Sequence, residues 1–441
     1  MIRFRFVHAA DLHLDTPFTG IGRVTPGIQD ALRDASLDAF DALVELAMSR
    51  EAAFVLLAGD IYDGPERGVR AQIRFRRGLE RLSAADIRVV VVHGNHDPIG
   101  GWCAVRGEWP SGVTLVGSTS VHAVAVERGG QRLATVHGLS YARRDVCENL
   151  ALRFRRGPEP GLQIGLLHCN VGGDPNHAAY SPCTVDDLRR AGMDYWALGH
   201  VHQRQVIRHG DPWIVYPGNI QGRSEKPTER GPKGAVVVDV EGGAVRAVEF
   251  AAVDRVRFLN LEVDVSGVSD IPALAGLLTR RAEELRADHE GRGLLVRVSL
   301  TGRLGGMGEP EGSPDCAGSS GLCEQLRRFG ACDALLDELR HEMENVQPFF
   351  WWEGLQDRTR VRLEAEAIRR RGDFSAELLG FCDALAADPA RLARLMEDGS
   401  GALRRVARPW PIPDTEMEDE ASLLGEAREL ALDLLEADET A

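Results

Sequence analysis

Five short apolar runs, Ile2–His8, Ala53–Ala58, Ile87–His93, Gly161–His168 and Asp194–Gly199, each end on or lead straight into a cluster of aspartate, histidine or asparagine. The clusters are Asp11-Leu12-His13, Gly59-Asp60-Ile61-Tyr62-Asp63, Gly94-Asn95-His96-Asp97, His168-Cys169-Asn170 and Gly199-His200-Val201-His202. Runs of this length, rich in Val, Ile and Leu and apolar on both faces, belong in the interior of a layered sheet. Between the first three lie Gln29–Arg50 and Arg67–Leu82, with Leu32, Leu37, Phe40, Leu43, Val44 and Ala47 at helical spacing, so an α/β sheet is expected. In such a sheet the carboxyl ends of the strands share one rim, and side chains just past them point into one crevice. Glycines before Asp60, Asn95 and His200 let the backbone turn there without a Cβ in the way. One such cluster is a common accident. Five at strand ends define a site.

Later runs, Ser120–Val126, Arg132–Val136, Gln205–Arg208, Trp213–Tyr216 and Ala235–Val240, follow without long helices and read as antiparallel strands completing a mixed sheet or sandwich. Phe258–Val265, Ile271–Arg286 and Leu294–Leu300 give a strand–helix–strand unit. The segment Gly302–Ser320, dense in Gly, Ser and Pro, reads as a linker, and the sequence beyond it reads as helical. The division expected is 1–250 for the domain that carries the clusters, 251–303 for a small capping domain, 304–330 for a flexible linker and 331–441 for a helical region. The last helix, Ser422–Glu436, carries Leu423, Ala427, Leu430 and Leu434 in one stripe, which suits docking of a partner. Residues 321–441 are expected to be dispensable for hydrolysis of a small ester. The aromatic run Phe349–Trp352 is expected to be core of that helical region.

Charge does not decide the partner. The net charge of −15 arises wholly in residues 251–441, with 23 basic and 38 acidic side chains, whereas residues 1–250 hold 29 of each. Lys226 and Lys233 are the only lysines, so arginine, whose planar fork suits phosphate, supplies nearly all the positive charge. The longest apolar runs fall short of the ~20 residues of a membrane span, and MIRFRFVHAADLH lacks the apolar stretch of a signal peptide. No membrane association and a cytoplasmic location are expected. Eight cysteines without a CxxC pair fit reduced thiols.

The clusters offer oxygen and imidazole ligands with a carboxylate able to bridge, a set that suits a pair of octahedral divalent ions such as Mn²⁺ better than structural zinc. Two ions about 3.5–4 Å apart can acidify a water between them and hold a phosphate's oxygens during in-line attack, which is phosphoester hydrolysis.

With these motifs residues 1–250 resemble the calcineurin-like metallophosphoesterases, and more closely their DNA-repair exonuclease branch of SbcD-type and YhaO-type subunits, through HAADLHLD, LLAGDIYD, VVHGNHD, LLHCN, YWALGHVHQ and YPGNIQGR. The resemblance implies a four-layer sandwich with mixed sheets. It implies Asp11, His13, Asp60 and His202 around one metal, and Asp60, Asn95, His168 and His200 around the other, with Asp60 bridging. His96 is then the acid that is not a ligand, with Asp97 placed to orient it. Asp63 stands where archaeal and eukaryotic members carry a second catalytic histidine. Asn219 and Arg223 are candidates to meet substrate phosphate, and a solvated loop arginine is the plain alternative for Arg223. His8 and His93 read as buried residues.

The function expected is a Mn²⁺-dependent DNA exo/endonuclease of the repair type. The alternative is a phosphoesterase for a nucleotide, cyclic nucleotide or phosphoprotein. Lys226 follows Glu225 and Lys233 follows Pro232, so neither lies in a P-loop. The resemblance implies that a separate chain, an SMC-like coiled-coil ATPase, supplies ATP hydrolysis, and that relatives dimerise through the nuclease domain.

Overall fold

The apolar runs form strands whose side chains alternate between two interiors. The computed structural model describes residues 2–64, 68–99, 108–172, 180–304, 322–361, 365–395 and 420–437. In chain order the first part contains β1 (Arg3–Ala9), α1 (Pro26–Ser49), β2 (Phe54–Ala58), α2 (Val69–Ala84), β3 (Arg88–Val92), β4 (Val113–Leu115), β5 (His122–Arg128), β6 (Gln131–Leu139) and β7 (Leu162–His168). There follow β8 (Asn170–Val171), β9 (Pro182–Cys183), α3 (Val185–Arg190), β10 (Tyr195–Gly199), β11 (Gln205–Arg208), β12 (Trp213–Tyr216), β13 (Gly234–Glu241) and β14 (Ala244–Ala252). One six-stranded sheet runs β14-β13-β1-β2-β3-β4 and a second runs β11-β12-β10-β7-β6-β5.

Period two sorts each strand between the layers. Phe6, Phe54, Leu56, Val90, Val136, Ile164 and Ala197 fill the space between the sheets. Their neighbours Val7, Val55, Leu57 and Val89 face Leu37, Phe40, Leu43 and Val44 of α1 and Phe75 and Leu79 of α2. On the outer face of the second sheet, Leu139, Phe154, Leu167, Leu188, Trp196 and Ile214 form a third cluster. The expected α/β sandwich with mixed sheets is thus present. Burying one such Phe or Leu contributes about 1.5–3 kcal/mol, so these layers hold the strand ends rigidly.

Strands β1 to β4 are mutually parallel, as are β6, β7, β10 and β12. Two of the later strands expected to be antiparallel, β6 and β12, therefore pair in parallel with β7 and β10. Each still has an antiparallel neighbour on its other side, β5 and β11. Strand β14 carries little strand signal in its sequence, because Arg246, Glu249 and four alanines dilute its apolar alternation.

Beyond the sandwich come β15 (Val256–Asp264), α4 (Ile271–Asp288), β16 (Gly293–Thr301), β17 (Arg303–Leu304), α5 (Leu322–Arg327), α6 (Ala331–Glu342), β18 (Phe350–Asp357), β19 (Arg360–Val361), α7 (Ala365–Arg371) and α8 (Phe374–Ala386), with a last helix at Glu420–Ala437. Of the expected linker, residues 305–321 lie outside the described residues, and Leu322–Arg327 is helical. The region after it is not wholly helical. The aromatic run Phe350-Trp351-Trp352 forms β18, consistent with the preference of large aromatics for a pleated, half-buried surface.

The chain divides into two compact units. One comprises Met1–Leu261, Leu278–Val298 and Leu336–Leu355, and in it Phe349 and Trp351 pack with Ile28, Leu32 and Ala35 of α1. Residues 336–355 thus share a core with the sandwich, against the expectation that residues 321–441 are dispensable for hydrolysis of a small ester. The other comprises Glu262–Leu277, Ser299–Leu335 and Gln356–Ala441. In it Ile368, Leu379 and Leu432 form a small core, and Asp433 accepts from both Arg303 and Arg360. Of the stripe on the last helix, Leu430 and Leu434 are exposed.

Candidate metal centre

The parallel strands deliver the five clusters to one rim, and backbone hydrogen bonds zip their loops together. The N–H groups of Asp11, His13 and Leu14 after β1 donate to the carbonyls of Gly59, Asp60 and Ile61 after β2, at 3.1, 3.0 and 2.9 Å. Asp11, His13, Asp60 and His200 all take positive φ, 51°, 43°, 51° and 104°. Such conformations cost a non-glycine residue of order 1–3 kcal/mol and persist where the surroundings over-determine them. The glycines have two distinct reasons. Gly59 supplies a turn at φ +92°, whereas Gly94 and Gly199 supply room: a Cβ on Gly94 would lie 2.2 Å from an Asp60 oxygen, and one on Gly199 1.9 Å from the Ala58 carbonyl.

Around this rim three sets of ligand atoms lie within 4.8 Å of one another: Asp11, His13 and His202; Asp11, Asp60 and His168; and His13, Asp63 and His96. Oδ2 of Asp60 lies 3.4 Å from Nε2 of His168 and 3.9 Å from Nε2 of His13, while its Oδ1 accepts from the His96 N–H at 2.9 Å. Nδ1–H of His168 donates to the Ala58 carbonyl at 2.9 Å. Burial pushes the His168 imidazole down to about 4, so it is neutral at pH 7 and Nε2 carries a lone pair. That lone pair faces Oδ1 of Asn95 at 2.9 Å, acceptor against acceptor. His202 repeats the pattern. Its Nδ1–H donates to Glu229 Oε1 at 2.5 Å, and its Nε2 lies 3.2 Å from Nε2 of His13. Nδ1 of His13 is buried without a hydrogen-bond partner. Imidazole lone pairs and carboxylate oxygens that converge in a buried site fit divalent cations.

The electrostatics agree. Burial, then the charge of Asp60, holds the Asp11 carboxyl well above the usual range. Burial, then the charge of Asp97, pushes Asp60 up to about 7. Crowded carboxylates of this kind take up protons unless a cation supplies the missing positive charge.

His200 contributes its N–H to both Asp11 oxygens at 3.1 Å, and its ring packs edge-on against that of His168 with centroids 5.2 Å apart. Its ring nitrogens join none of the three ligand sets among the described residues.

One expected pairing is corrected. Asp97 does not orient His96: it is fully buried, and its two oxygens accept from the N–H groups of Gly94 and Ile61, both at 2.9 Å, tying the β3 loop to the β2 loop. Asp63 accepts from Nδ1–H of His96 instead. The hydrogen bond from His96 holds Asp63 below the usual carboxylate range, and the same bond raises the His96 imidazole. The spacing was deceptive because adjacent residues on a tight turn point to different sides.

Asn219 is fully buried and donates to the Gln221 carbonyl and to Glu229 Oε2, both at 2.9 Å, while its Oδ1 is unpartnered. The Arg223 guanidinium lies 3.5 Å from Asp63, its Nε buried without a partner. Glu229 escaped the sequence reading because it lies in an ordinary polar loop. Its one signal was a carboxylate ten residues after Asn219 and four before the buried Lys233. His8 is a buried pin, within 3.1 Å of both the Tyr195 hydroxyl and the Leu198 carbonyl. His93 lies 3.5 Å from Asp97.

A profile of the calcineurin-like phosphoesterases matches residues 4–204, and one described as the middle domain of metallophosphoesterase YhaO matches residues 258–305. The uncharacterized metallophosphoesterase YhaO of Bacillus subtilis is 35% identical over 355 residues, covering 80% of this chain and 81% of that protein. The DNA double-strand break repair protein Mre11 of Thermoplasma acidophilum is 25% identical over 281 residues, 60% of this chain and 71% of that one. The SbcD component of the nuclease SbcCD from Bacillus subtilis is 25% identical over 276 residues, 54% of this chain and 67% of that one. The chain belongs to the calcineurin-like metallophosphoesterases and is a metal-dependent phosphoester hydrolase. Among the described residues no helix is long and apolar enough to cross a membrane.

Proposed function

We propose that the chain is a Mn²⁺-dependent DNA exo/endonuclease that acts in repair from two adjacent metal sites, with Asp11, His13, Asp60 and His202 around one ion and Asp60, Asn95, His168 and His200 around the other. The observation that carries the reading is the position of Asp60, whose one oxygen lies 3.4 Å from Nε2 of His168 and 3.9 Å from Nε2 of His13, between the two groups of ligands. When bound, the ions would acidify the attacking water and hold the phosphate's oxygens.

The chain's own residues then divide the remaining work. Asp63 fixes the ring of His96 through Nδ1, which leaves Nε2 as the atom that gives a proton to the leaving oxygen. The hydrogen bond to Asp63 raises the affinity of His96 for its proton, which favours the acid form. Arg223, with its unpartnered Nε, meets a non-bridging phosphate oxygen, and Asn219 holds the turn that carries it.

DNA as substrate is supported by the repair and nuclease relatives. A partner of the SMC-like coiled-coil ATPase type is supported by the SbcD relative and by the exposed Leu430 and Leu434 on the last helix. Residues 251–303 would help select DNA, and a homodimer through the nuclease domain and a cytoplasmic location complete the proposal. A Mn²⁺-dependent assay on linear duplex DNA, single-stranded DNA and bis-p-nitrophenyl phosphate tests it. Cleavage of DNA is expected, and hydrolysis of the small ester with neither DNA cut would point to a nucleotide, cyclic nucleotide or phosphoprotein instead.

A further inference from the structure

Two charged side chains with no assigned part in the chemistry, Glu229 and Lys233, are buried behind His202, 6% and 5% exposed. Three donors converge on the Glu229 carboxylate. Oε1 accepts from His202 Nδ1–H at 2.5 Å, and Oε2 accepts from Asn219 Nδ2 at 2.9 Å and from the Arg223 N–H at 3.0 Å. Lys233 donates to the carbonyls of His202, at 2.9 Å, and Thr228. The loop after β10 and the loop after β12 are thereby tied at one point.

We propose that Glu229 is a positioning residue that fixes the Nδ1–H tautomer of His202, so that the lone pair on Nε2 is presented to a divalent cation, and with its other oxygen sets the Asn219–Arg223 turn in register with that cation. The inference rests on the reading of His202 as a metal ligand. Its physical basis is that an imidazole donating through Nδ1 has its lone pair on Nε2, and an ionised partner both holds the ring and raises its basicity as a ligand. Three donors on the two oxygens of Glu229 are the partners of an ionised carboxylate, since a carboxylic acid would bring a proton of its own into the cluster.

Only a carboxylate satisfies this arrangement. A glutamine offers one oxygen and one NH₂, and whichever way the amide is turned the NH₂ meets either the His202 N–H or the donors of Asn219 and Arg223. A role confined to bracing the loop would leave metal affinity unaltered in a folded variant.

The test is calorimetric titration of the full chain, stripped of metal, with MnCl₂, comparing wild type with Glu229→Gln after checking that the metal-free proteins melt alike. Two equivalents are expected in both, with one site weakened about 10–100-fold in the variant and the other near wild type. Wild-type affinity at both sites in the folded variant would overturn the role of Glu229 and leave the metal centre standing. Failure of the wild type to bind Mn²⁺ would remove the ligand assignment of His202, and the inference with it. If Glu229→Gln does not fold, nitrogen NMR of metal-free wild type decides: His202 protonated at Nδ1 and bare at Nε2 supports the proposal, and the opposite tautomer overturns it.

Discussion

One carboxylate oxygen of Asp60 lies 3.4 Å from Nε2 of His168, and neither atom has a proton to offer the other when His168 is neutral and Asp60 is ionised. Held in register by parallel strands, the pair can relax in two ways, by taking up a proton or by sharing a cation. The raised Asp60 carboxyl, at about 7, shows the first. The two metal sites proposed for this chain are the second.

The pH dependence of metal uptake follows from that carboxyl. Asp60 must lose its proton to bind, so Mn²⁺ affinity should rise with pH through about 7, with protons released on binding over that range. For stability the sign is the reverse. A folded-state carboxyl raised above its unfolded value means that the native metal-free protein binds more protons, so its stability should fall as pH rises from about 4, the unfolded carboxylate value, through about 7. Melting curves with and without Mn²⁺ check this, and saturating metal should flatten the trend. A metal-free protein that gains stability over that range would contradict the burial of an ionisable Asp60.

His96 and Asp63 should behave as one catalytic unit. His96→Asn is expected to keep metal content near wild type while the single-turnover rate falls by about 10²–10⁴, or roughly 2.7–5.4 kcal/mol. Asp63→Asn should lower the rate less and shift the alkaline limb of the pH–rate profile to lower pH, because the hydrogen bond from His96 to Asp63 is what raises the imidazole. A His96→Asn protein that cleaves within about threefold of wild type would exclude an acid role, since lost acid catalysis costs far more.

Asp97 should differ in kind. Asp97→Ala leaves the buried N–H groups of Gly94 and Ile61 without an acceptor, so roughly 2–5 kcal/mol of stability should go, seen as a lowered urea midpoint, before any effect on rate is considered. Gly199→Ala should be at least as damaging, because its Cβ, at the end of β10, would lie 1.9 Å from the Ala58 carbonyl oxygen at the end of β2 in the other sheet.

Truncation should be asymmetric. A chain ending after Val361 keeps Phe349 and Trp351 against α1 and should hydrolyse the small ester normally, whereas one ending at residue 321 removes them and should lose much of its stability. Circular dichroism with the ester assay checks both. Normal folding of the shorter chain would show that β18 is not part of the sandwich's core.

These cases also mark how far the sequence could be read. Strands with both faces buried, such as Phe54–Ala58 and Leu162–His168, were legible because their apolar runs are continuous and end in polar clusters. Their end positions then placed Asp11, Asp60 and His168 together. What period and position cannot give is the direction of a side chain on a tight turn, which is why Asp63 and not Asp97 holds His96. Nor can they reveal a carboxylate such as Glu229, whose part depends on three donors brought together from positions 202, 219 and 223.

The central claim is that Asp60 serves two ions at once. Elemental analysis of purified chain under excess Mn²⁺ tests it most directly, in wild type and in Asp60→Ala, because the bridging carboxylate is the one ligand common to both proposed sites. Two equivalents per wild-type chain and loss of both in a folded Asp60→Ala are the expected results; one equivalent in wild type, or full occupancy in the variant, would contradict the dinuclear account.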